Sequence, residues 1–358
     1  MFKKSLMLLS LLFIIFSLSS CTKKEELYVL NLGDYINEEL IYEFEEKYNC
    51  SVIYEERNTN EELYQRITHE SYDIAIVEEY LIDKLRQDDL ILQIDYSKLE
   101  SYSEESYFTD ALTLMNTELS NIKGYYVPYF WGTFGIMYRT DKNGLKEFIE
   151  ENDLNSVFMS NSYRVGMYNS ARFSISMALL SLGYDINSFD KNELKEAENL
   201  LTSVGYEAWG EDNLKQLIAN DNLDYALVYS GDYIDQYYKS SVDNQEIKYA
   251  YYKPQKTVVW VDGYVIPKNN RNESLAYKFI NFMNEADNIL SNGSYVGYAP
   301  LNETIFDRLF TECDYSSLIK RNDFYPYTTE SKVLKYVSDE HYNYLNDLLD
   351  EIKNKSRK

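Results

Sequence analysis

The chain has 358 residues, with 59 acidic and 35 basic side chains and a formal net charge of −24 at pH 7. A surface this acidic repels nucleic acid and anionic lipid headgroups, so we exclude nucleic acid as a partner. The two histidines, His69 and His341, lie in polar helical patterns that predict surface positions. Histidine-based nucleophilic catalysis therefore lacks a candidate base. Cys50 and Cys313 have no spacing signature of a disulfide or a zinc site, which leaves their redox state open.

The N-terminal segment has the pattern of a signal peptide. Two lysines precede a mostly apolar run over residues 6–18, and small residues lead directly to Cys21. The run is too short for a comfortable membrane span, and a cysteine in this place looks like a bacterial lipobox. We predict that residues 1–20 are removed and that Cys21 carries lipid. Residues 21–26 would then link the membrane anchor to an extracytoplasmic body.

The segment after this linker alternates strand and helix patterns. Strands are predicted at residues 27–32, 51–55 and 72–77, each followed by an amphipathic helix. This alternation is typical of βαβ units that form a mostly parallel sheet. In open sheets of this kind, ligands lie beyond the carboxyl ends of the strands. The candidates that follow the first and third strands are Asp34, Tyr35, Glu78, Glu79 and Tyr80.

An aromatic stretch punctuated by glycines, residues 125–138, marks a first crossing into a second domain. The apolar strand over residues 257–267, stopped by Pro267, is interpreted as the return crossing. Two crossings between two α/β lobes, each a mixed sheet flanked by helices, predict a clamp that closes by bending at a hinge. The predicted divisions are residues 27–132 plus 263–312 for lobe 1, residues 133–262 for lobe 2, and residues 313–358 for a C-terminal helical tail that packs on the lobes.

The return crossing carries one carboxylate, Asp262, two residues after Trp260. In an extended strand these side chains point to the same side, and an acid among apolar residues is costly unless it is paired. Two interpretations stay open: an acid held by backbone amides, or the floor of a cation site beside an indole face. Loop residues of both lobes would complete a site for a small ligand with terminal amino groups. The full candidate set is Asp34, Tyr35, Tyr80, Tyr229, Asp232, Trp260, Asp262 and Tyr298.

Several motifs resemble those of the polyamine-binding proteins of bacterial ABC importers. Asn31-Leu32-Gly33-Asp34-Tyr35 is similar to the family pattern Asn-Trp-(Ser/Thr)-(Asp/Glu)-Tyr, and Val127-Pro128-Tyr129-Phe130-Trp131-Gly132 to Ile-Pro-Tyr-(Ile/Leu)-Trp-Gly. Trp260-Val261-Asp262 resembles the family's ligand strand, and Gly297-Tyr298 its late turn. The resemblance covers nearly all of the sequence after the leader. It implies the two-lobed periplasmic-binding-protein fold of type II.

The resemblance also implies roles for the candidate residues. Asp262 and Trp260 would hold an ammonium group of the ligand. The remaining candidates are Tyr35, Tyr80 and Tyr298 as cleft walls, Tyr229 where the family usually has a tryptophan, and Asp34 and Asp232 where putrescine-selective members place further acids.

Three positions depart from the family pattern. Leu32 replaces the tryptophan of the first motif. Ser170 and Phe173 stand where spermidine-selective members place an aspartate and a glutamate. Because both acids are missing, we expect a diamine such as putrescine to be preferred over spermidine.

The implied function is not catalytic. The protein would capture a polyamine outside the cell and deliver it to an ABC permease and its ATPase, as a monomer and without a cofactor. Another small solute, such as iron, a sugar or a different organic cation, is the first alternative, because one fold serves many ligands. An enzyme that uses carboxylate pairs and a purely adhesive or structural lipoprotein are the other two.

Overall fold

The computed structural model describes residues 24–158 and 160–356. The predicted signal peptide, its cleavage site and the lipidated Cys21 lie outside the described residues. Within the described part, none of the helices combines the length and the apolar character that a membrane crossing requires.

Nine strands of the described residues form one mixed sheet. They are β1 (Glu25–Leu32), β2 (Cys50–Arg57), β3 (Ile74–Val77), β4 (Val127–Arg139), β5 (Val165–Tyr168), β6 (Ala208–Gly210), β7 (Tyr225–Tyr229), β8 (Tyr249–Tyr252) and β9 (Val259–Val265). The strand order is β2-β1-β3-β9-β4-β7-β5-β6, and β8 pairs with β4 off this path. The first strand begins at Glu25, inside the predicted linker, because its backbone already pairs with β2 there.

Helices cover the sheet and build the C-terminal tail. Those in the first part of the chain are α1 (Glu38–Tyr48), α2 (Asn60–His69), α3 (Glu79–Gln87), α4 (Thr109–Thr117), α5 (Leu145–Glu151), α6 (Leu154–Phe158), α7 (Ala171–Leu182) and α8 (Lys191–Ser203). Those that follow are α9 (Asn213–Ala219), α10 (Ser230–Val242), α11 (Glu273–Met283), α12 (Ala286–Val296), α13 (Glu303–Glu312), α14 (Tyr315–Leu318), α15 (Arg321–Phe324) and α16 (Asp339–Ser356).

The βαβ units predicted for the first part of the chain are confirmed, since β1 pairs in parallel with both β2 and β3. The centre of the sheet is different. There β9 runs antiparallel to β3 on one side and to β4 on the other. A strand that returns from the second half of the chain enters the sheet in the opposite direction, so the sheet as a whole is mixed.

Strands β4 and β9 connect two halves of the molecule, which we take as the predicted lobes: residues 27–132 plus 263–312 form the first half and residues 133–262 the second. The first part of β4 pairs with β9 as far as Thr133, opposite Val259. From Phe134 onward β4 pairs with β7, starting opposite Tyr229. The long strand therefore changes partner between Thr133 and Phe134. The predicted division between residues 132 and 133 lies one residue before this change and stays a prediction.

The C-terminal tail contacts both halves of the molecule. The side chain of Asn187, on the second half, accepts a hydrogen bond from the Lys335 backbone N–H at 2.7 Å. The Lys335 ammonium pairs with Glu118, on the first half, at 2.7 Å. Lys84, also on the first half, pairs with Asp339 of α16 at 2.9 Å. Residues 335–339 therefore cross from one half of the molecule to the other.

The prediction for one of the two histidines was wrong. His69 is exposed, as expected. His341 is only 2% exposed, because α16 packs against α7 and α8 and turns this ring inward to Phe189, 4.9 Å away. Burial lowers the pKa of His341. Cys50 is buried and Cys313 half-buried, and both are free thiols.

Candidate ligand-binding site

Strand β9 presents Trp260 and Asp262 to the same side of the sheet, because both side chains alternate with that of Val261. Each of the two is only 3% exposed. The Val261 backbone N–H donates to the Glu79 carboxylate at 3.2 Å. This bond holds the backbone of β9 at the start of α3 and uses neither the Trp260 indole nor the Asp262 carboxylate.

Three buried polar atoms at this point have no hydrogen-bond partner within the described residues: Asp262 Oδ1, Trp260 Nε1 and the Tyr35 hydroxyl. Buried polar groups nearly always have partners, so an acceptor and two donors left together require an explanation. Burial raises the pKa of Asp262, and the nearby Tyr35 phenol partly opposes this rise because it favours the ionised carboxylate. No hydrogen bond of normal length and angle joins the two groups, which leaves both open to a third group.

Aromatic rings frame the Asp262 carboxylate. The Tyr35 and Tyr298 rings meet edge to face with centroids 5.4 Å apart, and Trp260 and Tyr298 do so at 5.0 Å. Tyr229 meets Trp260 edge to face at 6.1 Å. The structure therefore brings together five predicted site residues that lie far apart in the sequence. Aromatic faces attract cations and pack against methylene groups.

Two glycines make room for these rings. A Cβ atom on Gly132 would lie 2.7 Å from Cε2 of the Trp260 indole. A Cβ atom on Gly231 would lie 2.7 Å from a Cε atom of Tyr298. Real Cβ atoms do not approach other atoms so closely, so only glycine allows each ring its observed position.

The ring of the predicted wall residue Tyr80 is already partly covered. The Arg172 guanidinium sits over its ring, 4.4 Å from the centroid. The Tyr80 hydroxyl donates to Glu61 at 3.3 Å, and Arg172 donates to the Lys335 carbonyl at 2.7 Å. Arg172 therefore connects α7, α3 and the tail. Sequence reasoning did not select this residue, although it lies between the two departures Ser170 and Phe173.

Two further acids, Glu78 and Glu79, stand beside Asp262 and were not included in the predicted site. Burial and the Asp262 carboxylate raise the pKa of Glu78 well above its usual range. Burial and the Glu78 carboxylate raise the pKa of Glu79 to about 8. Burial, with a contribution from Glu79, likewise raises the pKa of Asp262 well above its usual range. Their position directly after β3 was the available signal, since strand ends of this kind bind ligands.

Two predicted acids lie elsewhere. Asp34 is exposed, in a left-handed turn conformation with φ of 53°. Asp232 is buried, but it accepts from the Lys215 ammonium at 3.1 Å and from the Tyr229 backbone N–H at 3.2 Å. These bonds place Asp232 at the start of α10, where it fixes the backbone of Tyr229. A ligand contact for either acid stays an untested prediction.

A family model described as bacterial extracellular solute-binding protein matches residues 39–313. The chain belongs to this family. The spermidine/putrescine-binding periplasmic protein of Escherichia coli is 26% identical over 77% of this chain and 77% of its own length. A putrescine/cadaverine-binding protein of Pseudomonas aeruginosa is 25% identical over 78% of this chain and 80% of its own. These relatives confirm the resemblance stated above, and their names describe binding proteins rather than enzymes.

Solved structures confirm the two-lobed periplasmic-binding-protein fold. A spermidine/putrescine transporter protein from Listeria monocytogenes superimposes with a TM-score of 0.76 at 30% identity, over 92% of this chain and 99% of that one. The spermidine/putrescine substrate-binding protein of Streptococcus pneumoniae, solved with calcium and HEPES, gives 0.72 at 28% identity, over 93% and 99%.

The three departures from the family pattern have different surroundings in this solute-binding protein. Phe173 is buried, and its ring lies 5.5 Å from that of Tyr229 and 4.5 Å from that of Phe134. Ser170 is half-buried at the position before α7. Leu32 is half-buried at the end of β1. The position of the missing glutamate is therefore filled by an aromatic ring that supports the Tyr229 wall.

Replacing Asp232 by asparagine should lower stability more than it changes ligand affinity. Burial raises the pKa of Asp232 to about 6, although Lys215 opposes this rise. Asp232 in turn raises the pKa of Lys215. Both partners are therefore charged at neutral pH. Removing one partner of a buried pair typically costs about 3–5 kcal/mol, and the loss should be smaller here because Lys215 keeps a second partner, Asp235, at 2.9 Å. Urea unfolding at pH 7.5 measures this loss. A variant with unchanged stability and lost binding would instead make Asp232 a ligand contact.

Proposed function

We propose that this solute-binding protein captures a diamine such as putrescine outside the cytoplasmic membrane and delivers it to an ABC permease with its ATPase. Lipid on Cys21 would hold the protein, as a monomer, at the membrane. The observation that supports this function is the buried Asp262 carboxylate, which the rings of Trp260, Tyr35 and Tyr298 surround. Its Oδ1 has no hydrogen-bond partner within the described residues.

An organic cation suits these surroundings for two reasons. A buried carboxylate without a partner favours a positively charged group, and a charge-assisted hydrogen bond is stronger than a neutral one. The aromatic faces attract an ammonium group and pack against the methylenes that join two such groups. The names of the Escherichia coli and Pseudomonas aeruginosa relatives, which include putrescine in both cases, agree with this ligand class.

A diamine is favoured over spermidine because the wall around α7 offers no acid for an additional ammonium group. Phe173 is apolar, and Ser170 is neutral. Arg172 adds a positive charge over the ring of Tyr80. A third ammonium group placed there would meet like charge in a partly desolvated site, which is unfavourable.

Closure of the two lobes would couple capture to delivery. Asp262 and Trp260 lie on the return crossing, Tyr35 and Tyr298 belong to the proposed lobe 1, and Tyr229 belongs to the proposed lobe 2. A ligand that contacts both lobes stabilises the closed form, because only that form makes both sets of contacts. The permease would then recognise the closed form.

Calorimetric titration of the leaderless protein with putrescine, cadaverine, spermidine and spermine tests this function. We expect one-to-one binding, tightest for a diamine, that persists when low-salt buffer is replaced by moderate salt. The salt comparison is needed because a strongly acidic surface attracts any polycation nonspecifically, and salt screens that attraction. Tighter binding of spermidine would overturn the diamine preference. Heats that vanish with salt would overturn the ligand class and direct the search to iron and sugars.

A further inference from the structure

The pairing of β3 with β9 places a second carboxylate against Asp262. The antiparallel ladder aligns Ile76 with Tyr264 and Val77 with Gly263. Glu78 is the first residue after β3 and keeps an extended backbone, with φ of −70° and ψ of 154°, so the register continued by one step sets it opposite Asp262. Residues directly opposite in an antiparallel pair have side chains on the same side of the sheet, with Cβ atoms about 4.5–5.5 Å apart. Glu78 is 9% exposed, so both acids are buried at one point between the lobes.

Neither carboxylate of this pair is neutralised by the protein. Among the described residues, neither Glu78 nor Asp262 forms an ion pair with a basic side chain, and Arg172, which faces Glu78, only partly offsets the effect of its burial. The charged groups that face Glu78 are Asp262 on β9, Glu61 on α2 and Arg172 on α7, and the Glu78 backbone N–H donates to the Asn60 side-chain oxygen at 3.3 Å. Glu79 faces Asp262 as well, but its carboxylate accepts the Val261 N–H.

We propose that Glu78 and Asp262 form a paired-carboxylate site that holds one ammonium end of the ligand, and that the empty pair shares a proton which binding releases. This inference rests on the proposed function and adds a residue to its site. Two adjacent buried carboxylates cannot both ionise at neutral pH without a cation between them. When a protonated amine enters, the shared proton passes to the solvent and both carboxylates become charged. The amine keeps all of its own protons.

The paired carboxylates make both the stability of the protein and its ligand affinity depend on pH. Burial raises the pKa values of Glu78 and Asp262, and a neighbouring carboxylate raises each further, Asp262 for Glu78 and Glu79 for Asp262. The folded ligand-free protein therefore binds more protons than the unfolded chain above about pH 4. Its free energy of unfolding therefore falls as pH rises. Glu79 contributes in the same direction between its ordinary pKa of 4.5 and about 8. Ligand affinity changes the opposite way and increases with pH.

The test counts protons and measures affinity in the same titrations. Putrescine is titrated into the leaderless protein at pH 6.5 in several buffers whose ionisation enthalpies differ, so that the observed heat reports proton release. We expect release of about one proton per ligand, as for a pair that shares one. Glu78→Gln should remove this release and weaken binding about 10-fold or more, the cost of one charge-assisted hydrogen bond.

Glu43→Gln is the matched control, because Glu43 is exposed on α1 and its replacement removes the same charge. It should leave affinity and proton release unchanged. Glu78→Asp keeps the charge and should retain proton release, which separates loss of the pair from misfolding in Glu78→Gln.

Putrescine binding by Glu78→Gln with normal affinity and normal proton release would overturn the pair but leave the proposed function intact. Binding without proton release in the unaltered protein would also overturn it. No amine binding by the unaltered protein would overturn the proposed function itself.

Discussion

Replacing Asp262 by asparagine is expected to remove high-affinity diamine binding and to make the ligand-free protein more stable. Asparagine has nearly the same shape but no charge, so the ligand loses a charge-assisted hydrogen bond worth about 1.5–3 kcal/mol, or about 10-fold to 150-fold in affinity. The carboxylate it replaces is buried, and its Oδ1 has no hydrogen-bond partner in the part of the chain that the structure describes. A neutral side chain avoids the cost of burying that charge.

Calorimetric titration and thermal unfolding measure the two effects of Asp262→Asn. The gain in stability should be larger at pH 8 than at pH 6, because the raised pKa of Asp262 leaves more of it ionised at the higher pH. A gain of 1 kcal/mol would raise the Tm by about 2 °C in a protein of this size. Asp350→Asn, at an exposed position of α16, is the control and should change neither property. Normal binding with unchanged stability would contradict the role of Asp262 as a buried acceptor for the ligand.

The second large effect is expected for Gly132→Ala. Gly132 lies directly opposite Trp260 in the pairing of β4 with β9, and the indole occupies the space of the missing side chain. One added methyl group would force the indole away from Asp262. Overpacking of this kind typically costs about 1–3 kcal/mol of stability. Diamine binding should weaken by more than about 10-fold, since the displaced ring no longer contacts the ammonium group.

Gly205→Ala is the matched control for this substitution. A Cβ atom on Gly205 would meet nothing within 4 Å, and its backbone does not need the left-handed conformation. We expect the control to bind normally and to gain about 0.4–1 kcal/mol through the reduced freedom of the unfolded chain. Near-ultraviolet circular dichroism reports the position of the indole rings. A Gly132→Ala protein with normal spectrum, stability and affinity would contradict the role assigned to this contact.

Much of the fold could be predicted because its strands and helices follow from the pattern of apolar residues within short segments. The apolar run at β9 and the alternation of strands and helices after the linker reflect backbone preferences and burial that act over a few residues. The helix α11 is an example, since Leu275, Phe279 and Phe282 recur on one face and are buried in the structure. The antiparallel direction of β9 was not visible in this way, because strand direction depends on how distant segments meet.

Much of the site depended on contacts between segments that are distant in the sequence. Asp232 was a reasonable candidate by its place after β7, yet Lys215 binds its carboxylate and α10 uses it at its first turn. His341 looked like a surface residue, but the packing of α16 buries it. Arg172 acquires its importance only when α7 brings it over the Tyr80 ring.

The sequence by itself indicated the class of the protein and the two residues at the centre of its candidate site. Trp260 and Asp262 lie two positions apart on one strand, so the period of the strand sets their relation without help from the rest of the chain. Only the tertiary structure decided that Glu78 faces Asp262, because 184 positions separate them in the numbering and the pairing of β3 with β9 brings them near each other. A shift of that register by one residue would turn one carboxylate to the other side of the sheet. The acids of the site are therefore set by strand pairing, which no local pattern contains.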